Sequence, residues 1–207
     1  MTFTIPNVLT LLRLLAAPGV GVMFLYFARP WADWLAFFLF VGAAVTDFVD
    51  GYLARRWKQE TRFGSMLDPI ADKAMVVIAL LVITAQSGLN AWILLPATAI
   101  VFREVFVSGL REFLGDASGA LTVTWVAKVK TAAQMIAIAV LFASGAFFHM
   151  FASEAGGNAS QAEQLVRFAT YGTWWVGVVL LWVATVLTLV SGIDYFRKGL
   201  PYLRDGQ

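Results

Sequence analysis

The sequence contains no cysteine and a single histidine, His149. That excludes disulfides, zinc–thiolate sites, a cysteine nucleophile and any histidine-rich metal centre. A metal bound by this chain must therefore sit on carboxylates, which suits hard cations such as magnesium, manganese or calcium. Charge is scarce as well: Asp, Glu, Lys and Arg make up 14% of the 207 residues, against about 25% in an ordinary soluble domain. The net charge of +2 comes without a long basic run, which argues against a nucleic-acid partner. No basic stretch precedes the first apolar run and no small-residue cleavage site follows it, so the first helix is expected to be retained rather than removed as a signal peptide.

What fills the chain instead is apolar: 60% of residues are hydrophobic and the mean hydropathy is +0.76. A bilayer is the natural solvent for such a chain. Six apolar runs stand out, at about Val8–Phe27, Trp31–Asp47 (continuing as helix to Arg55), Pro69–Ala85, Ala91–Gly109, Lys130–Met150 and Phe168–Ile193. Most approach the roughly 20 residues that a spanning helix needs. The second and third are short in apolar terms, and each has a polar extension. Continuous runs of this length exclude barrel strands, and in lipid the backbone must satisfy its own hydrogen bonds. The expectation is an all-α integral membrane protein of six transmembrane helices, forming one domain over residues 1–207.

Lysine and arginine set the expected orientation. The second connection carries Arg55, Arg56, Lys58 and Arg62, the fourth Arg111, Lys128 and Lys130, and the tail Arg197, Lys198 and Arg204. The odd connections carry almost none. The basic side, with both termini, is therefore expected to be cytoplasmic. Trp31, Trp34, Trp92, Trp125, Trp174 and Trp175 lie near span ends, as interfacial aromatics do. Phe147 to Gln164, rich in Gly, Ala and Ser, reads as a loose external loop, and the tail after Gly199 is expected to fray.

Four aspartates stand against this apolar background. At mid-bilayer depth they would cost roughly 10 kcal/mol together on the insertion scale; at the cytoplasmic edge they cost less but still need partners. Arg55 and Lys73 are nearby cations, too few to neutralise four carboxylates. Asp47 and Asp50 are three apart and share a helix face, with Gly51 and Ala54 leaving it sterically bare. Asp68 and Asp72 are four apart and share another, with Gly64 one turn earlier. Asp68 directly precedes Pro69, so it also reads as the cap of the third helix. Carboxylates brought so close repel one another, and a divalent ion removes that repulsion. Helix caps and surface acids would explain one such aspartate but not two pairs on two helix ends.

Read together, Asp47-x2-Asp50-Gly51-x2-Ala54-Arg55-x8-Gly64-x3-Asp68-x3-Asp72 resembles the signature of the CDP-alcohol phosphotransferase family at every fixed position. Ile5-Pro6-Asn7-x2-Thr10-x2-Arg13, Arg103-Glu104, Ser108-Gly109-Leu110-Arg111-Glu112 and Lys128-x-Lys130-Thr131-x2-Gln134 resemble its bacterial branch that takes a glycerol phosphate acceptor. The similarity runs from about Thr4 to Gln134; the last third matches mainly in hydropathy. The resemblance implies six transmembrane helices in a homodimer, in the bacterial cytoplasmic (inner) membrane, with the active site facing the cytosol. It implies that Asp47, Asp50 and Asp68 ligate metal, and that Asp72 touches a second metal and acts as general base. Gly51, Arg55 and Thr61 match positions that contact the CDP moiety, and Asn7 and Thr10 line the same pocket. The implied cofactor is Mg2+, as a pair of ions, with Mn2+ as a substitute.

The implied reaction passes a phosphatidyl group from CDP-diacylglycerol to sn-glycerol 3-phosphate, giving phosphatidylglycerol phosphate and CMP. Arg111, Lys128 and Lys130 lie on the expected side for the acceptor phosphate. The shared signature leaves serine, inositol phosphate or phosphatidylglycerol open as acceptors. An ion-coupled transporter would need acids spread through the membrane depth. Arg13 is expected to reach the pocket rather than snorkel, Arg103 to pair with Glu104 or another helix, and Pro18 and Pro96 to bend their helices. His149 is expected at the outer edge, away from the chemistry.

Overall fold

The structure, a computed structural model, describes residues 4–57, 61–115, 125–152 and 161–204. Six helices follow one another: α1 (Ile5–Tyr26), α2 (Trp31–Trp57), α3 (Arg62–Ser87), α4 (Ala91–Leu114), α5 (Trp125–Ala152) and α6 (Gln161–Arg204). No strand occurs among the described residues. Four of these helices contain stretches long and apolar enough to cross a membrane: Asn7–Tyr26, Ala91–Leu114, Val129–Phe151 and Val166–Pro201. The other two, α2 and α3, are the ones that carry the aspartates.

Three expectations about helix ends are corrected. The stretch expected as a loop from Phe147 to Gln164 is helical up to Ala152 and again from Gln161. Asp68 does not cap the third helix. That helix starts seven residues before Pro69, with Thr61 as its N-cap in extended conformation, and the Thr61 hydroxyl accepts the Gly64 backbone N–H at 3.0 Å. Asp68 is thus an interior residue, one helical turn ahead of Asp72, and Pro69 sits within the helix. The tail does not fray at Gly199 either. α6 continues to Arg204, because its end packs on α4: Leu114, Val107 and Tyr195 form a small buried cluster, and Leu110 and Leu114 lie against Gly199. At 44 residues α6 is about 66 Å long, roughly twice the hydrocarbon thickness.

Small residues let the helices approach. Ala17, Ala36, Ala79, Ala137 and Ala184 are fully buried, and Phe40, Leu80, Ile100, Ile138 and Leu181 fill the space between. Close approach through small side chains is how helices associate when lipid removes the hydrophobic drive. At Gly177 a Cβ would fall 2.8 Å from a Leu141 methyl, so glycine is what permits the α5–α6 contact. α1 packs on α2 and α3, α5 on α2, α3 and α6, and α4 on α3 and α6. One end of α1 is thereby wedged between the two aspartate-bearing helices.

Candidate active site

α1 presents one polar stripe on an otherwise apolar helix. Asn7, Thr10 and Arg13 recur every three residues and are 4%, 2% and 3% exposed. Each reaches a different level of the neighbouring helices. The Thr61 hydroxyl donates to Asn7 Oδ1 at 2.8 Å. The Thr10 hydroxyl donates to Asp68 Oδ1 at 2.8 Å. Arg13 Nη1 donates to Asp47 Oδ1 at 2.5 Å and to Asp72 Oδ1 at 3.0 Å. Both of the last two bonds end on one nitrogen, so α2 and α3 hold their carboxylates close to each other.

The structure therefore brings together Asn7, Thr10, Thr61, Asp47, Asp68 and Asp72. Asp50, Gly51 and Arg55 lie on the helical continuation of α2, but their side chains fall outside the described residues. The same holds for Lys128, at the start of α5. The Asp47 and Asp72 side chains keep 35% and 38% exposure while the Arg13 side chain keeps 2%, so the carboxylates are reachable from outside and the arginine is not. The oxygens offered are carboxylate, hydroxyl and amide oxygens, a set that suits a hard cation. Among the described residues no three of the acidic or histidine groups form a metal site by themselves.

Sequence reasoning placed Arg13 near the pocket but did not foresee it as the shared partner of two aspartates; its three-residue spacing from Thr10 and Asn7 was the available signal. Lys73, which stood as a nearby cation, turns the other way. Its ammonium donates to Ser108 on α4 at 2.5 Å. There a second polar cluster ties four helices together. Glu104 accepts from Lys130 and, at 3.1 Å, from Arg103, and Arg103 also donates to Ser191 on α6 at 2.8 Å. The expected pairing of Arg103 with Glu104 and with another helix is thus present in both forms. Glu104 itself was overlooked as the acid that holds Lys130. Lys130 is buried and engaged with that acid, whereas Arg111 lies exposed in the last turn of α4.

Gly64 sits where the stripe meets α3. A Cβ there would fall 2.7 Å from Asn7 Oδ1 and 3.2 Å from the Thr61 hydroxyl. Gly64→Ala is expected to cost about 1–3 kcal/mol through forced displacement of these two groups. The check is the thermal midpoint. A variant identical to the parent would show that the Asn7–Thr61 contact has slack.

An all-helical bundle with acidic groups gathered at one end defines the class of molecule. A family model for CDP-alcohol phosphatidyltransferase matches residues 3–190, and the chain belongs to that family. It is 57% identical to a Cereibacter sphaeroides protein named CDP-diacylglycerol–glycerol-3-phosphate 3-phosphatidyltransferase, with 99% of each chain covered. Proteins of the same name from Pectobacterium atrosepticum and Escherichia coli are 48% and 44% identical over 68% of this chain and 78% of theirs.

Proposed function

We propose that the chain transfers the phosphatidyl group of CDP-diacylglycerol to the primary hydroxyl of sn-glycerol 3-phosphate. The observation that carries this is the convergence of Asp47, Asp68 and Asp72 on the Thr10–Arg13 stripe, in a chain 57% identical over its length to a relative of that name. Asp72 accepts the proton of the acceptor hydroxyl. The freed oxygen attacks the phosphorus that bears the diacylglycerol, the bond from that phosphorus to the bridging oxygen breaks, and CMP leaves with the electron pair. Asn7, Thr10, Gly51, Arg55 and Thr61 orient the CDP moiety. Asp47, Asp50, Asp68 and Asp72 would hold Mg2+, or Mn2+ in its place. When bound, the metal neutralises the clustered carboxylates and the donor's pyrophosphate.

Residues 1–207 act as one domain of six membrane crossings, with both termini and the aspartates on the cytoplasmic side of a bacterial inner membrane. The basic even-numbered connections support that orientation. Membrane lipids surround it, and the resemblance supports a homodimer. Arg111, Lys128 and Lys130 receive the acceptor phosphate, for which the phosphate competes with Glu104 at Lys130.

The test supplies purified protein with CDP-diacylglycerol, Mg2+ and glycerol 3-phosphate, serine, inositol phosphate or phosphatidylglycerol in turn, and measures CMP. Release confined to glycerol 3-phosphate is expected; release with another acceptor overturns the assignment. Lys128→Ala is expected to raise the KM for glycerol 3-phosphate about tenfold, as loss of one charge-assisted hydrogen bond would, and to leave the KM for the donor in place. An unchanged acceptor KM would remove Lys128 from the phosphate site.

A further inference from the structure

At the other end of the bundle from the aspartates lies a cavity of about 520 Å³, within the size range of small-ligand sites. Asp33 and Gln86, which line it, stand 14 residues along α2 and α3 from Asp47 and Asp72, or about 21 Å of helix. Its polar end is built. Asp33 is 1% exposed and takes Arg29 Nε at 2.8 Å and Nη2 at 2.5 Å. A Cβ at Gly145 would fall 2.6 Å from Asp33 Oδ1 and 2.9 Å from Arg29 Nη2, so α5 leaves space for this pair. Arg29 Nη1 reaches Gln86 at 3.3 Å, and His149 lines the same cavity. Of the five N–H groups a guanidinium carries, two thus go to Asp33 and one to Gln86.

Trp175 belongs both to this cavity and to a groove between α4 and α6. The groove is wholly apolar, walled by Trp92, Val179, Trp182, Val183 and Val186. Trp182 turns its indole N–H to the Trp92 carbonyl at 3.1 Å, which removes that polar group from the wall. From Trp175 to Leu187 the groove follows about 18 Å of helix, close to the half-thickness of a hydrocarbon core of roughly 30 Å. A cavity with one charged end, beside an apolar groove about one leaflet long, matches the two parts of an amphiphile.

We propose that this end of the bundle is a second lipid site: it holds a bilayer phospholipid with its phosphodiester against Arg29 and His149 and one acyl chain in the α4–α6 groove. The proposal rests on the helices being membrane-embedded and is independent of the transfer chemistry. Removing Arg29 would leave Asp33 buried without its partner, so the test alters the groove instead, at Val183, which is 46% exposed.

Protein purified in detergent is exchanged into excess phosphatidylethanolamine or, separately, diacylglycerol, then stripped, and retained lipid is counted by native mass spectrometry. One retained phospholipid per protomer is expected, with diacylglycerol retained about tenfold less for want of the charged hydrogen bonds. Val183→Trp is expected to lower phospholipid retention about tenfold by filling the groove. Retention kept in Val183→Trp would assign the lipid to another part of the molecule and overturn the proposal. Equal retention of diacylglycerol would overturn the headgroup contact. The parent chain has no cysteine, so Val179→Cys reports on a competing occupant: efficient disulfide dimers in the bilayer would make the groove an interface between two copies.

Discussion

Asp72→Asn is expected to bind CDP-diacylglycerol normally and to release CMP roughly 10^2–10^4-fold more slowly, the usual worth of a positioned general base. The substitution keeps the side chain's size and its ability to accept from Arg13, which lies 3.0 Å from Asp72 Oδ1. What it removes is a basic oxygen in a carboxylate that is still 38% exposed and so reachable by an acceptor hydroxyl. Nucleotide-lipid binding measured alongside turnover separates the two effects. Near-parental turnover would move the base assignment to another group. Loss of donor binding together with turnover would make Asp72 chiefly a ligand.

Arg13→Ala is expected to have the largest effect on stability. It removes a buried cation whose one nitrogen serves both Asp47 and Asp72; because those carboxylates are over a third exposed and keep solvent, the cost stays below the about 3–5 kcal/mol of a fully buried pair. The two carboxylates are then left facing each other with only solvent and any bound cation to offset their repulsion. Mg2+ should therefore stabilise Arg13→Ala more than it stabilises the parent. The measurement is the thermal midpoint of each protein with and without Mg2+. Equal gains in the two proteins would mean that arginine and metal do not share these carboxylates.

Much of this arrangement was legible beforehand, and the reason differs by element. The aspartates stood out because charge is costly in an apolar chain, and their spacing of three and four placed each pair on one helix face. The end of α2 was readable because no proline interrupts Asp47–Arg55 and a single glycine, Gly51, is tolerated inside a helix. The start of α3 was misread because Asp68-Pro69 carries a strong local cap signal, while Thr61, with its hydroxyl on the Gly64 N–H, supplies the actual one. The end of α6 was misread because its order comes from Leu110 and Leu114, almost ninety residues earlier in the chain. Pairings such as Lys130 with Glu104 depend on how helices rotate against each other, and no local pattern encodes that.

The Arg13 contacts also bear on how the protein is made. Its two acidic partners lie 34 and 59 residues further along the chain. With Asp47 alone the arginine balances one charge against one; Asp72 adds a second carboxylate on the same nitrogen. The site is therefore completed only when α3 packs against α1 and α2, and a chain halted before Asp72 carries the Arg13–Asp47 pair without the second carboxylate that Arg13 shares.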